Sequence, residues 1–460
     1  MYRLSGLVTG LDTETLISQL VAIERQPITI LENRQKTYEF RKELWNEINT
    51  SLLALKTKND ELRSLHSLTG KTAVSSNEEI LTATAETNAV NAIYEITVNT
   101  LAQAHKVASK KESEIGVVSA GTFRISDGTI TVDISVGDNA TLADIRDSIN
   151  SAKDGEGNDL GVTASIIDNT LVIKRDETGS TEMTFSDISG NVLETIGVID
   201  GTGVIQNELQ AAKDALFYVD GLEIIRSSNT GIDDVISGVT LNLTATGTAT
   251  LEVNNDVDAA YKKIQDFVNQ YNSTLDLINT RLSEKPVEDP ETDSEKKIGL
   301  LRGDYSLAAI KDKLRRIISS TVSGQEEYDS LAEIGITTTN EDFGKSGKLV
   351  IDESKLKEAL KNNALDVENL FVRTDVGISE QIDDHLYYLT SSTTGMIASK
   401  TESFDNIIKD FDEQIESAVR RLDQFEANLW NKFTEMERAI SAMQNQGTWL
   451  NAQIANMFMG

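Results

Sequence analysis

The chain carries three histidines, His66, His105 and His385, and no cysteine. Nucleophilic or general-base catalysis would need one of these imidazoles beside an acid and a hydroxyl, and none stands in such a pattern. His66 falls at the end of a helical stretch, where a cation is mildly favoured. Without cysteine there is no disulfide, no thiolate metal site and no thiol nucleophile. Asp154, Glu156 and Asn158 alternate as the oxygens of a calcium loop would. Asp159, however, takes the place of the required glycine, and no Glu closes the loop six residues later, so the segment reads as a solvated acidic turn. No GxxxxGK[ST] phosphate loop is present; the glycines punctuate strands and turns. The residues point away from an enzyme, with no catalytic group, no cofactor and no metal expected.

What the sequence does pattern is helix pairing. Phe404, Ile408, Phe411, Ile415, Ala418, Leu422, Phe425 and Leu429 recur in alternating steps of four and three. That is a coiled-coil seam, whose average repeat of 3.5 keeps apolar knobs facing a partner helix. After one extra step of four the pattern resumes at Phe433, Met436, Ile440 and Met443, a stutter that locally unwinds a supercoil. A second seam runs through Trp45, Ile48, Leu52, Leu55, Asn59 and Leu62. The two ends are therefore expected to pair, with the middle of the chain inserted on a helical stalk.

At 460 residues the chain is long for one core, and roughly three domains are expected. The net charge of −31 argues against nucleic acid as a partner, since phosphate contacts need clustered Lys and Arg. The first seventy residues are nearly balanced, while Lys71 to Ala260 holds most of the excess acid. Met1 to Gly10 has one Arg and no apolar run fit for a secretory signal, and no segment approaches the ~18 apolar residues of a membrane span. Composition alone reads as cytoplasmic unless export uses an uncleaved signal.

The periods divide the chain. Asp12 or Thr13 can cap a first helix through Leu16, Leu20 and Ile23. Pro27 is read as its break and as the first turn of a longer helix reaching about Leu68. After Gly70 the period becomes 2: Tyr94, Ile96 and Val98 alternate with polar residues, as in a half-buried strand. Asp127-Gly128, Asp168-Asn169 and Asp220-Gly221 each sit between alternating runs and predict hairpins. Thr141 with Asp144 resembles a capping box before a short helix. Helical period returns near Ala259 and runs to Ile278. A helix over Leu307 to Ile318, a strand at Leu349 to Ile351 and a helix burying Leu356, Leu360 and Leu365 follow. The Ser/Thr run from Thr390 to Thr394, ending in Gly395, is the expected hinge before the last helix. Chain ends are usually polar and frayed. Here Trp449, Leu450, Ile454, Met457 and Phe458 make an apolar stripe at one end, and Leu4 to Val21 make another, which implies burial by other subunits or partners.

Several of these residues match a known pattern. Leu4-Ser5-Gly6-Leu7-Val8-Thr9-Gly10-Leu11-Asp12-Thr13, with Leu16-Ile17 and Glu24-Arg25-Gln26-Pro27, resembles the N-terminus of the flagellar filament cap, or hook-associated protein 2, family. Gly335-Ile336, Gly347-Lys348-Leu349, Asp352, Ala359-Leu360 and Leu370-Phe371 are similar to that family's C-terminal region. Phe123 to Ile173 resembles the flagellin-type inserted motif, with Thr141-Leu142-Ala143-Asp144-Ile145 as its centre.

The resemblance implies an α+β multidomain protein whose terminal helices form a coiled-coil or helical-bundle stalk carrying inserted antiparallel β-rich domains. The expected division is 1–40 with 431–460 as terminal assembly segments and 41–70 with 257–430 as the stalk. Residues 71–106 with 212–256 form a β-rich domain, and 107–211 an inserted flagellin-type β domain. The implied role is a secreted structural cap at the distal tip of the bacterial flagellum, a homo-oligomeric ring that retains flagellin and promotes its folding and insertion. Implied partners are flagellin, hook-filament junction proteins and, before secretion, an export chaperone, with no nucleic acid and no membrane insertion. The assembly or filament contact is assigned to Leu4, Leu7, Leu11, Leu16, Leu20 and Ile23. The stalk coiled coil takes Trp45, Ile48, Leu52, Leu55, Phe411, Ile415, Leu422, Phe425 and Leu429. The chaperone-binding tail takes Trp449, Leu450, Ile454, Met457 and Phe458. The alternative function is a surface adhesin that binds glycans through the β domains.

Overall fold

The computed structural model describes residues 12–64, 66–324, 327–340 and 344–458. In chain order, helix α1 (Thr13–Arg63) leads into strands β1 (Lys71–Ser75), β2 (Leu81–Ala85), β3 (Ala92–Thr100), β4 (Lys106–Lys111), β5 (Gly121–Ser126) and β6 (Thr131–Val136). Helix α2 (Leu142–Asn150), strands β7 (Val162–Ile167), β8 (Thr170–Arg175) and β9 (Thr184–Ser189), and helix α3 (Val192–Ile196) come next. Strands β10 (Glu208–Gln210), β11 (Ala215–Val219), β12 (Leu222–Arg226), β13 (Ile232–Ile236), β14 (Val239–Leu243) and β15 (Gly247–Asn255) complete the β region. Helices α4 (Val257–Ser283), α5 (Asp293–Lys297) and α6 (Tyr305–Ile318), strands β16 (Ile336–Thr338) and β17 (Leu349–Ile351), and helices α7 (Glu353–Val372), α8 (Ile378–Thr390) and α9 (Met396–Phe458) close the chain. Two compact units result: Met1–Ser67 with Tyr261–Gly460, and Leu68–Ala260. This is the α+β arrangement of terminal helices and antiparallel sheets that the periods predicted.

The helical unit is built around α1. Its seam residues Trp45, Ile48, Leu52, Leu55, Asn59 and Leu62 are all sealed from solvent. Burying each such leucine stabilises the fold by roughly 1.5–3 kcal/mol. Ser51 Oγ lies 3.0 Å from Thr274 Oγ1 of α4, and Glu47 pairs with Arg281 of the same helix at 2.8 Å. On α8, Ser379 O accepts from Asn59 Nδ2 at 2.8 Å and the Glu380 carboxylate takes both arms of Arg63. Asn59 is thus a polar knob with a defined partner, the kind that fixes the register of packed helices.

Three expectations on the helices need correction. Pro27 does not start a helix: α1 runs unbroken from Thr13 and carries the proline inside it. A proline costs one amide donor and a clash with the carbonyl four residues back. Here that carbonyl belongs to the exposed Ile23, and the long flanking seams outweigh the loss. Second, α1 ends at Arg63 rather than near Leu68. His66 adopts a positive φ of 56°, Ser67 Oγ returns to Leu62 O, and Leu68 is buried outside any helix. Third, Leu365 is exposed, because Asn363 leaves helical geometry inside α7. That break shifts the phase, so Ala364 and Val367 face the core instead.

The β unit holds two separate cores. One lies between the sheet β1-β15-β3-β11-β12 and the sheet β13-β14-β2, with Ile96, Val98, Phe217, Leu241 and Leu251 at its centre. The other lies among β10-β4-β8-β7, β6-β5-β9, α2 and α3, around Phe123, Ile145, Leu171 and Leu193. The alternating Ala249, Leu251 and Val253 of β15 are buried, with their neighbours facing out, as period 2 requires. The hairpins turn where expected. Asp168 and Asn169 have φ of 47° and 58°, and Asp220 and Gly221 of 50° and 81°, values that suit Asp, Asn and Gly in tight β-turns. Thr141 and Asp144 form the reciprocal capping box at the start of α2.

Candidate assembly surface

The described residues hold no group of three His, Cys, Asp or Glu side chains able to bind a metal ion. His105 is buried; its Nδ1 accepts from the Met183 N–H at 2.8 Å, and its Nε2 lies 3.4 Å from Glu208 Oε1. Accepting at Nδ1 places the proton of the neutral ring on Nε2, so neither nitrogen is free to ligate a metal. Asp154 binds its own turn, accepting from the Glu156 and Asn158 amides and from Asn158 Nδ2. His385 sits half-buried on α8, and burial, with Lys313 and Arg316 nearby, pushes its imidazole down to about 4. None of these groups converges on a reactive site.

The terminal helices instead form a paired structure. Gln35 Nε2 donates to Asp412 Oδ1 at 2.6 Å, Lys42 pairs with Asp405, and Lys400 covers Trp45. Numbers rise on α1 as they fall on α9, so the pair is antiparallel. Tyr38 packs between Phe404 and Phe411, with ring centroids 6.1 and 5.9 Å away. On α9, Phe404 and Leu422 are buried, while Phe411, Ile415, Phe425 and Leu429 are half-buried. The helix of α1 before Pro27 is also partnered in part, since Thr13 and Ile17 are buried. Part of the Leu4 to Val21 stripe, assigned from sequence to burial by other subunits or partners, is therefore covered within the chain at Ile17. The four-three steps of the seam reach that far because Ile28, Leu31, Gln35, Tyr38 and Lys42 continue it. Sequence reading missed this stretch because Gln35 and Lys42 are polar. Ile28, Leu31 and Tyr38 were the available signal.

Beside that buried seam α1 shows a second, open row, and the end of α9 is exposed on all sides. Leu16, Leu20, Ile23 and Ile30 are exposed on α1, in heptad spacing. On α9, Met443, Leu450 and Ile454 share the same spacing and are exposed, as is Trp449 at 64%. Leu4, Leu7 and Leu11 lie outside the described residues. The helix backbone of α9 continues to Phe458, but the side chains of Met457 and Phe458 lie outside the described ones. Exposed apolar side chains at heptad spacing on α1, and on the end of α9, are what further helices would cover. Among the described residues no helix is long and apolar enough to cross a membrane.

Family comparison matches these features over most of the chain. Residues 9–105 fit the model of the flagellar hook-associated protein 2 N-terminus and residues 212–445 that of its C-terminus. The chain belongs to the flagellar hook-associated protein 2 family. The intervening residues 122–177 fit the flagellin hook IN motif, which here comprises β5, β6, α2, β7 and β8. The A-type flagellar hook-associated protein 2 of Pseudomonas aeruginosa is 30% identical over 99% of this chain and 98% of its own length. Flagellar hook-associated protein 2 of Escherichia coli K12 is 31% identical over 98% and 97%. The crystal structure of the flagellar cap protein FliD domains D1-D2-D3 from Escherichia coli matches with a TM-score of 0.59 and 31% identity. It covers 79% of this chain and 99% of that one.

Proposed function

We propose that this member of the flagellar hook-associated protein 2 family acts as the structural cap at the distal tip of the bacterial flagellar filament. The full-length likeness to proteins of that name carries the reading, and the open heptad seams at both chain ends support it. In this reading copies of the chain form a ring that holds flagellin at the tip while it folds and inserts. The ends of α1 and α9 contact neighbouring subunits and the filament through Leu16, Leu20 and Ile23, together with Leu4, Leu7 and Leu11. The domain division follows the same logic: residues 1–40 and 431–460 for contact, 41–70 and 257–430 for the stalk, and the two β cores as outward domains. Before export, a chaperone covers the tail at Trp449, Leu450, Ile454, Met457 and Phe458 by taking the helix into an apolar groove. Hook-filament junction proteins are its seat before flagellin arrives. No step requires catalysis.

Deleting the gene tests the reading. The expected result is cells that secrete unpolymerised flagellin and lack filaments, with filaments restored by the intact gene. Normal filaments in the deletion strain would overturn it.

A further inference from the structure

Among the described residues no element covers the exposed side of α6, and the helix is basic in an otherwise acidic chain. Within α6, Lys311, Lys313, Arg315 and Arg316 outnumber the single acid Asp312, and Arg316 with Asp312 lies on the exposed side. Arg315 Nη2 is anchored on Gly344 O at 3.0 Å. Arg316 Nε donates to its own helix at Asp312 O, and among the described residues no carboxylate pairs with Lys313 or Arg316. Tyr305, 88% exposed, and the small Ala308 and Ala309 shape a groove of about 650 Å³ beside Arg316. Tyr and Arg around a small-residue depression are the types that dominate binding energy at protein interfaces.

A complementary feature exists on the same chain. Between α4 and α5, Glu288, Asp289 and Glu291 are exposed, and among the described residues none pairs with a cation. Pro286 and Pro290 bracket Glu288 and Asp289, with Glu291 directly after, and Asp289 is held at a positive φ of 53°. Prolines limit the conformations available to the free loop, so docking it costs less entropy. Val287, partly exposed, gives the loop an apolar tip that fits beside an aromatic ring.

We propose that the α6 face binds the 286–291 loop of a second copy of this chain, with Lys313 and Arg316 taking its carboxylates and the Tyr305 groove taking Val287. The inference rests on the cap reading, which requires copies to associate, and names the surfaces that do so. With each copy giving its loop to one neighbour and its α6 face to another, the contact is head-to-tail and propagates from copy to copy, as a ring requires.

The test compares the full chain, Lys313→Glu/Arg316→Glu, and Glu288→Lys/Asp289→Lys/Glu291→Lys by sedimentation velocity over a concentration series, with circular dichroism to confirm folding. Each reversal alone should weaken self-association by about tenfold or more, since paired charges at interfaces couple by upwards of about 1.5 kcal/mol. Mixing the two reversed proteins should restore association, because the signs again match. If the unmodified protein associates and the reversals do so equally well, this inference fails and the cap reading stands. If mixing does not restore association, the loop is the wrong occupant and the inference fails. If the unmodified protein stays monomeric throughout, both fail.

Discussion

The Lys400 ammonium lies 4.1 Å from the centre of the Trp45 ring, the largest side chain sealed in the helical unit. The same ammonium reaches Asp304 at 3.3 Å and Ser306 Oγ at 3.0 Å, so one side chain ties α9 both to α1 and to the start of α6. A cation over an indole contributes about 2 kcal/mol when partly desolvated. Lys400→Met keeps the stem but removes the charge, and should lower the urea midpoint by an amount equivalent to about 1–2 kcal/mol. An unchanged midpoint would mean the ring is held by packing alone.

Leu52 and Leu53 make a paired test of the seam. Leu52 is fully buried and Leu53 is exposed on the same turn. Leu52→Ala should cost about 2–5 kcal/mol in equilibrium unfolding, and Leu53→Ala within about 0.5 kcal/mol. Equal costs would place the seam elsewhere.

His385 makes the helical unit sensitive to acid. Its folded pKa is depressed to about 4, first by burial and then by Lys313 and Arg316 of α6, while Tyr388 stacks on the ring from α8. An unfolded histidine titrates near 6.5. Between these values the unfolded chain binds the extra proton, so stability is full above about pH 6.5 and falls as the pH drops towards 4. His385→Gln should flatten this part of the pH profile of the melting temperature. Lys313→Glu should raise the imidazole pKa in an NMR titration; no upward movement would remove the cationic contribution.

The chaperone proposal predicts that Trp449→Ser/Leu450→Ser/Ile454→Ser loses binding to the export chaperone in a titration. These side chains are exposed, so the melting transition should not move. Unchanged affinity would exclude the tail as the binding element.

Hydrogen exchange on the soluble protein should rank the α1 amides. Those around Leu52 should open only with global unfolding. Those of α9 beyond Met443, where every described side chain is exposed, should exchange fast and gain protection on assembly. Slow exchange there in a monomer would remove the need for a partner.

The stalk seam was legible because Trp45 to Leu62 is apolar at nearly every seam position, and the hairpins were legible because Asp-Gly and Asp-Asn have few other uses between alternating runs. The upper pairing of α1 was hidden, since Gln35 meets α9 through a carbonyl and a carboxylate rather than a methyl group. Pro27 misled for the opposite reason: local chemistry favours a break there, and the packed seams on either side override it. Leu365 fits a helical period that the backbone abandons at Asn363, a departure that depends on tertiary packing and leaves no local mark.

Gly70 O accepts from the Asp256 amide at 2.8 Å, and β1 pairs with β15 from Lys71↔Asn255 onward. The inserted β unit therefore enters and leaves at one point. Gln35 and Asp412, 377 positions apart, would face a large loop-closure entropy if the chain between them were slack. Once the β unit has folded, about half of that intervening length is short-circuited where Gly70 meets Asp256. A folded β unit thus acts as a clasp that lowers the entropy cost of bringing the two terminal helices together.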